Sequence, residues 1–346
     1  MKRDQIQTVL TRLKSDPGPK RAWNEAKKYL GTSQINSLPQ FTNNTDPNFT
    51  AENQNNFFIN KVEKLVESIP TKKDSKIGNK STHNGGFAFK FVNASDIIKI
   101  ILTLKNTKAL GVDGISTDVL KKGIVTLAGP ITRLCNASMA SGKVPDLFKK
   151  LIVHPVYKGQ GKDPKDPSSY RQIAILPALS KILEITVRQA LLSWFDHIEF
   201  IPDSQFGFRP GRSVSMTLTV AQNDWTYAKL KNNVVGLMAF DLSAAFDTLG
   251  HTTLLSKLEN AGISGTPLKW FESYLNSRSQ SVFWNNDMSS SLPIKRGVPQ
   301  GSILGPILFL VMIHDMPSHL RRDSLISSSK VIGYVDDTTV YVKAKI

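Results

Sequence analysis

The residues best suited to chemistry are three aspartates, one ending an apolar run and two adjacent between short strand-like runs. The first lies in Phe240-Asp241-Leu242-Ser243-Ala244-Ala245-Phe246-Asp247, where the uncharged run from Val234 to Phe240 reads as a buried strand and stops at Asp241. The other two follow Tyr334-Val335, and the runs VIGYV and TTVYV read as a strand pair with Asp336-Asp337 as its two-residue connection. Each aspartate has an ordinary alternative. Asp241 could cap a following helix through its side-chain oxygen, and Asp336 and Asp337 could be turn formers. Adjacent carboxylates repel, however, and a turn could use Asn-Gly or Asp-Gly without that cost. A hard cation such as Mg²⁺ takes carboxylate oxygens, and two such ions about 3.5–4 Å apart clamp the attacking and leaving oxygens of a phosphoryl transfer. Three carboxylates from two neighbouring strands supply that arrangement.

Three further segments carry polar groups of interest. The run Arg296-Gly297-Val298-Pro299-Gln300-Gly301-Ser302-Ile303-Leu304-Gly305 leads into an apolar helix. Its glycines permit close backbone approach to a ligand, and Gln300 offers both a donor and an acceptor; an ordinary loop before a helix explains it equally well. It has neither a Walker A lysine nor a nucleophile elbow, so ATPase and hydrolase readings gain nothing. The loop GQGKDPKDPSSYRQ sets Lys158, Lys162, Lys165 and Arg171 among glycines and prolines. Such cations suit a triphosphate or a nucleic-acid backbone, or simply a solvated loop. Ser204-Gln205-Phe206-Gly207-Phe208-Arg209 mixes aromatics with a cation, as strand-binding surfaces and packed corners both do.

The elements that must hold these residues alternate between helix and strand. Residues 1–90 read as a basic and polar connector, partly disordered, with one short helix near 56–68 whose apolar stripe is Phe57, Phe58, Val62, Leu65 and Val66. Beyond a boundary near residue 90, Ser95 is the expected N-cap of one helix, and further helices are expected at 117–139, 178–195, 251–261, 267–275 and 303–313. A hairpin is expected around Asn285-Asn286-Asp287. This mixture predicts an α+β fold with helices covering one face of an antiparallel sheet.

Among 346 residues, 44 Lys and Arg outnumber 28 Asp and Glu, a formal charge of +16 that argues for a polyanionic partner. The single cysteine, Cys135, excludes an intramolecular disulfide framework and a Cys-based zinc site, and reads as a core thiol in a reducing compartment. No run reaches the roughly 18 apolar residues of a membrane span. With no signal-peptide pattern either, an intracellular protein is expected, in nucleus or cytoplasm alike.

The motifs GVDGIS, VYKGQGKDPKDPSSYRQIAILPALSKILE, SQFGFRPGRSV, FDLSAAFDTL, RGVPQGSILGPILF and YVDD, in that order over roughly residues 91–346, resemble reverse transcriptases of non-LTR, LINE-type and jockey-like retrotransposons. The resemblance implies the fingers and palm of a right-hand polymerase, with core motifs at about 140–346 and the thumb missing. It implies that Asp241, Asp336 and Asp337, helped by the Leu242 carbonyl, hold two Mg²⁺ ions, or Mn²⁺ in their place. Lys158 and Arg171 would meet the incoming dNTP, Phe246 would crowd the sugar 2′-hydroxyl, and Gln300 and Gly301 would line the nucleotide and template pocket. The implied partners are an RNA template, a DNA primer and dNTPs. The sequence departs from the family in having Gln172 where Pro is usual and Val335 where Ala is common. The alternative is an inactive remnant that only binds nucleic acid. An RNA-dependent RNA polymerase is disfavoured by Phe246 and by Val335, where such enzymes carry Gly.

Overall fold

The computed structural model describes residues 49–69, 86–107, 109–159, 161–321 and 329–345. The expected disorder of the connector falls largely on residues outside that set. The chain divides into two compact units, one of Met1–Phe49 with Tyr157–Arg171, the other of Thr50–Val156 with Gln172–Ile346.

In the smaller unit the basic loop is folded on itself. Lys158 donates from its backbone to Ser169 O at 2.9 Å and from Nζ to Ser168 O at 2.6 Å. Tyr170 donates its hydroxyl to Pro164 O at 2.8 Å and packs against the rings of Tyr157 and Phe49.

The larger unit begins with α1 (Ala51–Glu67), capped by Thr50. Of the expected apolar stripe Phe58 is buried and Phe57, Val62, Leu65 and Val66 are half-buried, and the buried face also takes in Ala51, Gln54 and Asn55. Asn55, fully buried, donates to Ser290 O at 2.9 Å and accepts from Gln280 Nε2 at 3.0 Å, so the helix is docked by an amide pair as much as by Phe58. Next come α2 (Ala94–Thr103), α3 (Thr117–Lys122) and α4 (Ile124–Ser141). The cap of α2 is Asn93, not Ser95. Asn93 and Asp96 stand at the spacing that closes a reciprocal capping box, which Ser95 cannot complete. The single helix expected at 117–139 is two, parted at Gly123, which ends one and starts the other.

Strands β1 (Lys150–Tyr157) and β2 (Tyr170–Ile175) lead to α5 (Ala178–His197) and α6 (Val214–Leu230), the latter not foreseen. Then follow β3 (Asn233–Phe240), α7 (His251–Asn260), α8 (Gly265–Leu275), β4 (Arg278–Trp284), β5 (Asp287–Met288) and β6 (Leu292–Ile294). The chain continues through α9 (Gly305–Ile313), α10 (Met316–Arg321), β7 (Lys330–Tyr334) and β8 (Asp337–Lys345). The hairpin around Asn285 and Asn286 forms as expected, with both residues at positive φ.

The strands make two sheets. One has the order β2-β1-β4-β5 with β6 also on β4, and its β1–β4 pair is parallel. The other, β3-β8-β7, is antiparallel throughout. Helices and sheets of this kind make an α+β protein, and no helix among the described residues is long and apolar enough to cross a membrane.

The main core lies among the helices and includes Ile97, Leu191, Trp270, Phe271, Leu308 and Phe309. Cys135 is within it, and burial pushes its thiol up to about 12. Helix α9 is apolar on every side and accordingly buried.

Two charged clusters tie the layers together. Glu184 on α5 is 1% exposed; its Oε2 accepts from the backbone of Ile303 at 2.7 Å and Leu304 at 3.1 Å, while Ser180 donates to Oε1. Burial raises its pKa, opposed first by the charge of buried Arg278, which stacks 4.3 Å from the Tyr274 ring. Asp224 on α6 meets Tyr341 Oη at 2.6 Å, Lys330 Nζ at 2.7 Å and Lys343 Nζ at 3.3 Å, joining the helix to β7 and β8. Burial alone would raise the Asp224 pKa, but its hydrogen bonds to Lys330, Tyr341 and Lys343 outweigh it and hold the carboxyl at about 2.

Two outcomes follow. Glu184→Ala leaves two backbone N–H groups and Arg278 without their acceptor or counter-charge, and should cost about 3 kcal/mol in urea unfolding. Glu184→Gln, which keeps an acceptor oxygen, should cost less. Asp224 has a folded pKa below the roughly 3.9 of an unfolded Asp, so its contribution is present above that value and lost as pH falls towards 2. Asp224→Asn should lower stability at pH 7 by about 1–2 kcal/mol, and thermal unfolding should show that deficit shrinking between about pH 4 and pH 2.

Candidate active site

The three aspartates are brought together by strand register. β3 runs antiparallel to β8 with Phe240 opposite Thr338, and β7 pairs with β8 down to Tyr334 opposite Asp337. Extending the first register by one residue sets Asp241 across from Asp337, beside the turn that carries Asp336. Asp241 and Asp337 are exposed and Asp336 is half-buried. Among the described residues none of the three is in an ion pair. Their side chains are not drawn to one point either: no three His, Cys, Asp or Glu among the described residues are grouped to hold a metal ion.

Several expectations change here. β3 is not a buried strand. Its only strand neighbour among the described residues is β8, and Val234, Leu237, Met238 and Phe240 are all exposed. An apolar run fixes extended conformation without saying what covers it. Asp241 does not cap a helix, because residues 242–249 form a loop and α7 starts only at His251. The turn is Val335-Asp336, with Asp337 the first residue of β8. Val335 has φ +62° while Asp336 does not have positive φ, the type II′ pattern that normally takes Gly at the first position. A β-branched residue in that region costs on the order of 1–3 kcal/mol and persists only where its surroundings enforce it.

Phe246 sits on the core side of the loop after Asp241. It stacks on Phe309 with ring centroids 5.0 Å apart and meets Phe208 edge-on at 6.2 Å. Its carbonyl accepts from Val298 N at 2.9 Å, which ties the loop to the Gly-rich segment.

In that segment Gln300 donates from Nε2 to Asp247 at 3.2 Å and accepts at its carbonyl from Ala174 N at 2.8 Å. Burial raises the Asp247 pKa, against which Gln172, Lys61 and Gln300 all act. Beside Gln300 lies a pocket lined by Phe58, Val153, Gln172, Asp247 and Arg296. Gly301, at φ +119°, is needed for packing: a Cβ there would come within 2.5 Å of the Ala174 carbonyl. Leu242 is exposed. Lys158 and Arg171 belong to the smaller unit, Arg171 exposed and Lys158 turned onto its own loop.

The residues not foreseen are Glu184, Gln172, Gln205 and Asp247. A signal existed for Glu184, a carboxylate inside the apolar helix run ILEI. Asp247 and Gln205 stood in recognised motifs, but their partners lie far away in sequence, so spacing could not reveal their contacts.

A reverse transcriptase (RNA-dependent DNA polymerase) family profile matches residues 161–345. The chain is similar to the RNA-directed DNA polymerase from mobile element jockey of Drosophila melanogaster, 28% identical over 97% of this chain and 35% of that protein. It is also similar to the probable RNA-directed DNA polymerases from transposon X-element and transposon BS of the same fly. Each is 29% identical, over 72% and 66% of this chain and 27% and 25% of those proteins. The chain thus spans about a third or less of the length of these relatives. With its motifs in order and its aspartates gathered by one sheet, the chain belongs to the reverse transcriptase family, of the jockey-like non-LTR retrotransposon kind.

Proposed function

We propose that this chain is the fingers and palm of an RNA-directed DNA polymerase, transferring dNMP from a dNTP to a primer 3′-hydroxyl under the direction of an RNA template. The sheet β3-β8-β7 is then the palm sheet, residues 91–346 the fingers–palm region with core motifs at about 140–346, and residues 1–90 a connector. The observation that carries this reading is the strand register that sets Asp241 beside Asp336 and Asp337.

Three carboxylates without an ion-pair partner among the described residues, in a chain of charge +16, fit hard divalent cations by their donor chemistry. Asp241, Asp336, Asp337 and the Leu242 carbonyl would hold two Mg²⁺ ions, with Mn²⁺ able to replace them. Cations held there would supply neutralisation of the phosphate charge and would favour the ionised 3′-hydroxyl. The protein's own part is positioning. Phe246, held by Phe309 and Val298, would limit room at the sugar 2′ position, as the family pattern implies. Gln300, which borders the pocket beside Asp247, and the adjacent Gly301 are assigned to nucleotide and template on the family pattern, and Asp247 orients the Gln300 amide. Lys158 and Arg171 are assigned to the triphosphate on the family pattern and their charge.

Primer extension on an RNA template with Mg²⁺ and dNTPs tests the reading. Asp241→Asn or Asp336→Asn should each reduce incorporation about 10³-fold or more, since each removes a charged ligand worth several kcal/mol. No extension by the parent chain, with RNA binding retained, would instead identify a remnant that only binds nucleic acid. Phe246→Ala should raise NTP use relative to dNTP by about 10–100-fold in competition assays, the range that steric pocket contacts supply.

A further inference from the structure

The left-handed Val335 needs something to hold it, and the hairpin alone does not provide it. The side chain of Gln205 does. Its Oε1 accepts from Val335 N at 3.1 Å, and its Nε2 donates to Val335 O at 3.3 Å, so one amide bridges both backbone groups of one residue. The same Oε1 accepts from Gly207 N at 2.9 Å. Gln205 is 6% exposed, and its own backbone lies against β7. Gly333 N donates to Ser204 O, and Phe206 N to Gly333 O, each at 2.8 Å. Gly207 completes the fit, because a Cβ there would lie 2.4 Å from Val335 N and 2.5 Å from its Cγ2. The loop is anchored on its far side by Arg212, which pairs with Asp203 at 2.9 Å and stacks 5.0 Å from the Phe206 ring.

We infer that Gln205 is the positioning residue of the Val335-Asp336 turn, a carboxamide clamp that fixes both peptide planes flanking Val335 and thereby the direction of the carboxylates after it. The role rests on the polymerase reading above for its functional consequence, but the clamp itself does not. A carboxamide alone supplies a donor and an acceptor side by side for the two backbone groups of one residue. Alanine or methionine offers neither, and glutamate offers acceptors only. Val335 is held by Gln205 from outside the hairpin, so the turn's geometry depends on a segment about 130 residues away in sequence. Partners that orient metal ligands in this way are typically worth about 10–100-fold in affinity or activity.

The test uses the full chain with Gln205→Met, Gln205→Glu, Val335→Gly and the Gln205→Met/Val335→Gly pair, each checked for cooperative unfolding. Amide hydrogen exchange at Val335 should quicken at least tenfold in Gln205→Met and less in Gln205→Glu, which keeps the acceptor bonds. Mn²⁺ affinity and kcat for primer extension should fall about 10–100-fold in Gln205→Met with KM for dNTP nearly unchanged. Glycine at position 335 adopts the turn unaided, so it should recover most of that loss in the pair. Unchanged exchange at Val335 in Gln205→Met, or a loss carried by KM alone, overturns the inference. If Gln205→Met does not unfold cooperatively, exchange in Gln205→Glu decides: a rate equal to the parent's overturns the clamp. Asp336→Asn run alongside separates the two claims. If it leaves Mn²⁺ binding and extension intact, the assigned chemistry falls, while the exchange data still judge the clamp.

Discussion

The antiparallel register between β3 and β8 is the constraint on which the site depends. Side chains alternate along a strand, so a slip of one residue would send Asp241 to the opposite face and away from the Tyr334–Asp337 turn. The register is held from several directions. Eight consecutive residue pairs join β3 to β8, and Tyr341 on β8 reaches across to Asp224 on α6. Lys330 on β7 and Lys343 on β8 meet the same carboxylate. A single low-pKa aspartate thus ties one helix to two of the three strands, and it lies outside the triad whose alignment it protects.

A second set of buried polar groups fixes the Gly-rich segment. Glu184 takes the N–H groups of Ile303 and Leu304 just before α9, while Asp247 takes the Gln300 amide a few residues earlier. Both carboxylates are desolvated, which raises their pKa values and makes any unpaired state costly. A segment with two glycines at positive φ would otherwise sample many conformations. Here each end is pinned by a carboxylate from a distant part of the chain. Phe246 links this segment to the loop that follows Asp241 through Phe208, Phe309 and Val298, so the pieces share one support.

Most elements were legible because local physics sets them. The run from Val234 to Phe240 is a strand, the helix before His314 is apolar on every side, and Asn285-Asn286 turns a hairpin. The errors have local causes too. Asn93 outcompetes Ser95 as a cap because Asp96 completes its box, and Gly123 splits a helix that apolar spacing joined. The α6 helix escaped notice because its apolar residues lie on all faces and give no stripe. Burial was harder to read than conformation. β3 is apolar and yet exposed, while Asn55, Glu184 and Arg278 are polar and buried.

The sequence by itself determined the family, the order of its motifs and which carboxylates are candidates for metal, since residue type and spacing carry that information. Only the tertiary structure decided how those carboxylates are held. It placed Val335, not an aspartate, at the strained position of the turn, and it supplied Gln205 to hold it. It also spent Gly301 on backbone packing and gave Asp247 a partner in Gln300. Each of these depends on a contact between segments tens to more than a hundred residues apart. Spacing along a chain records periodicity within an element, whereas the pairing of distant elements is fixed only once the sheet and the core have assembled.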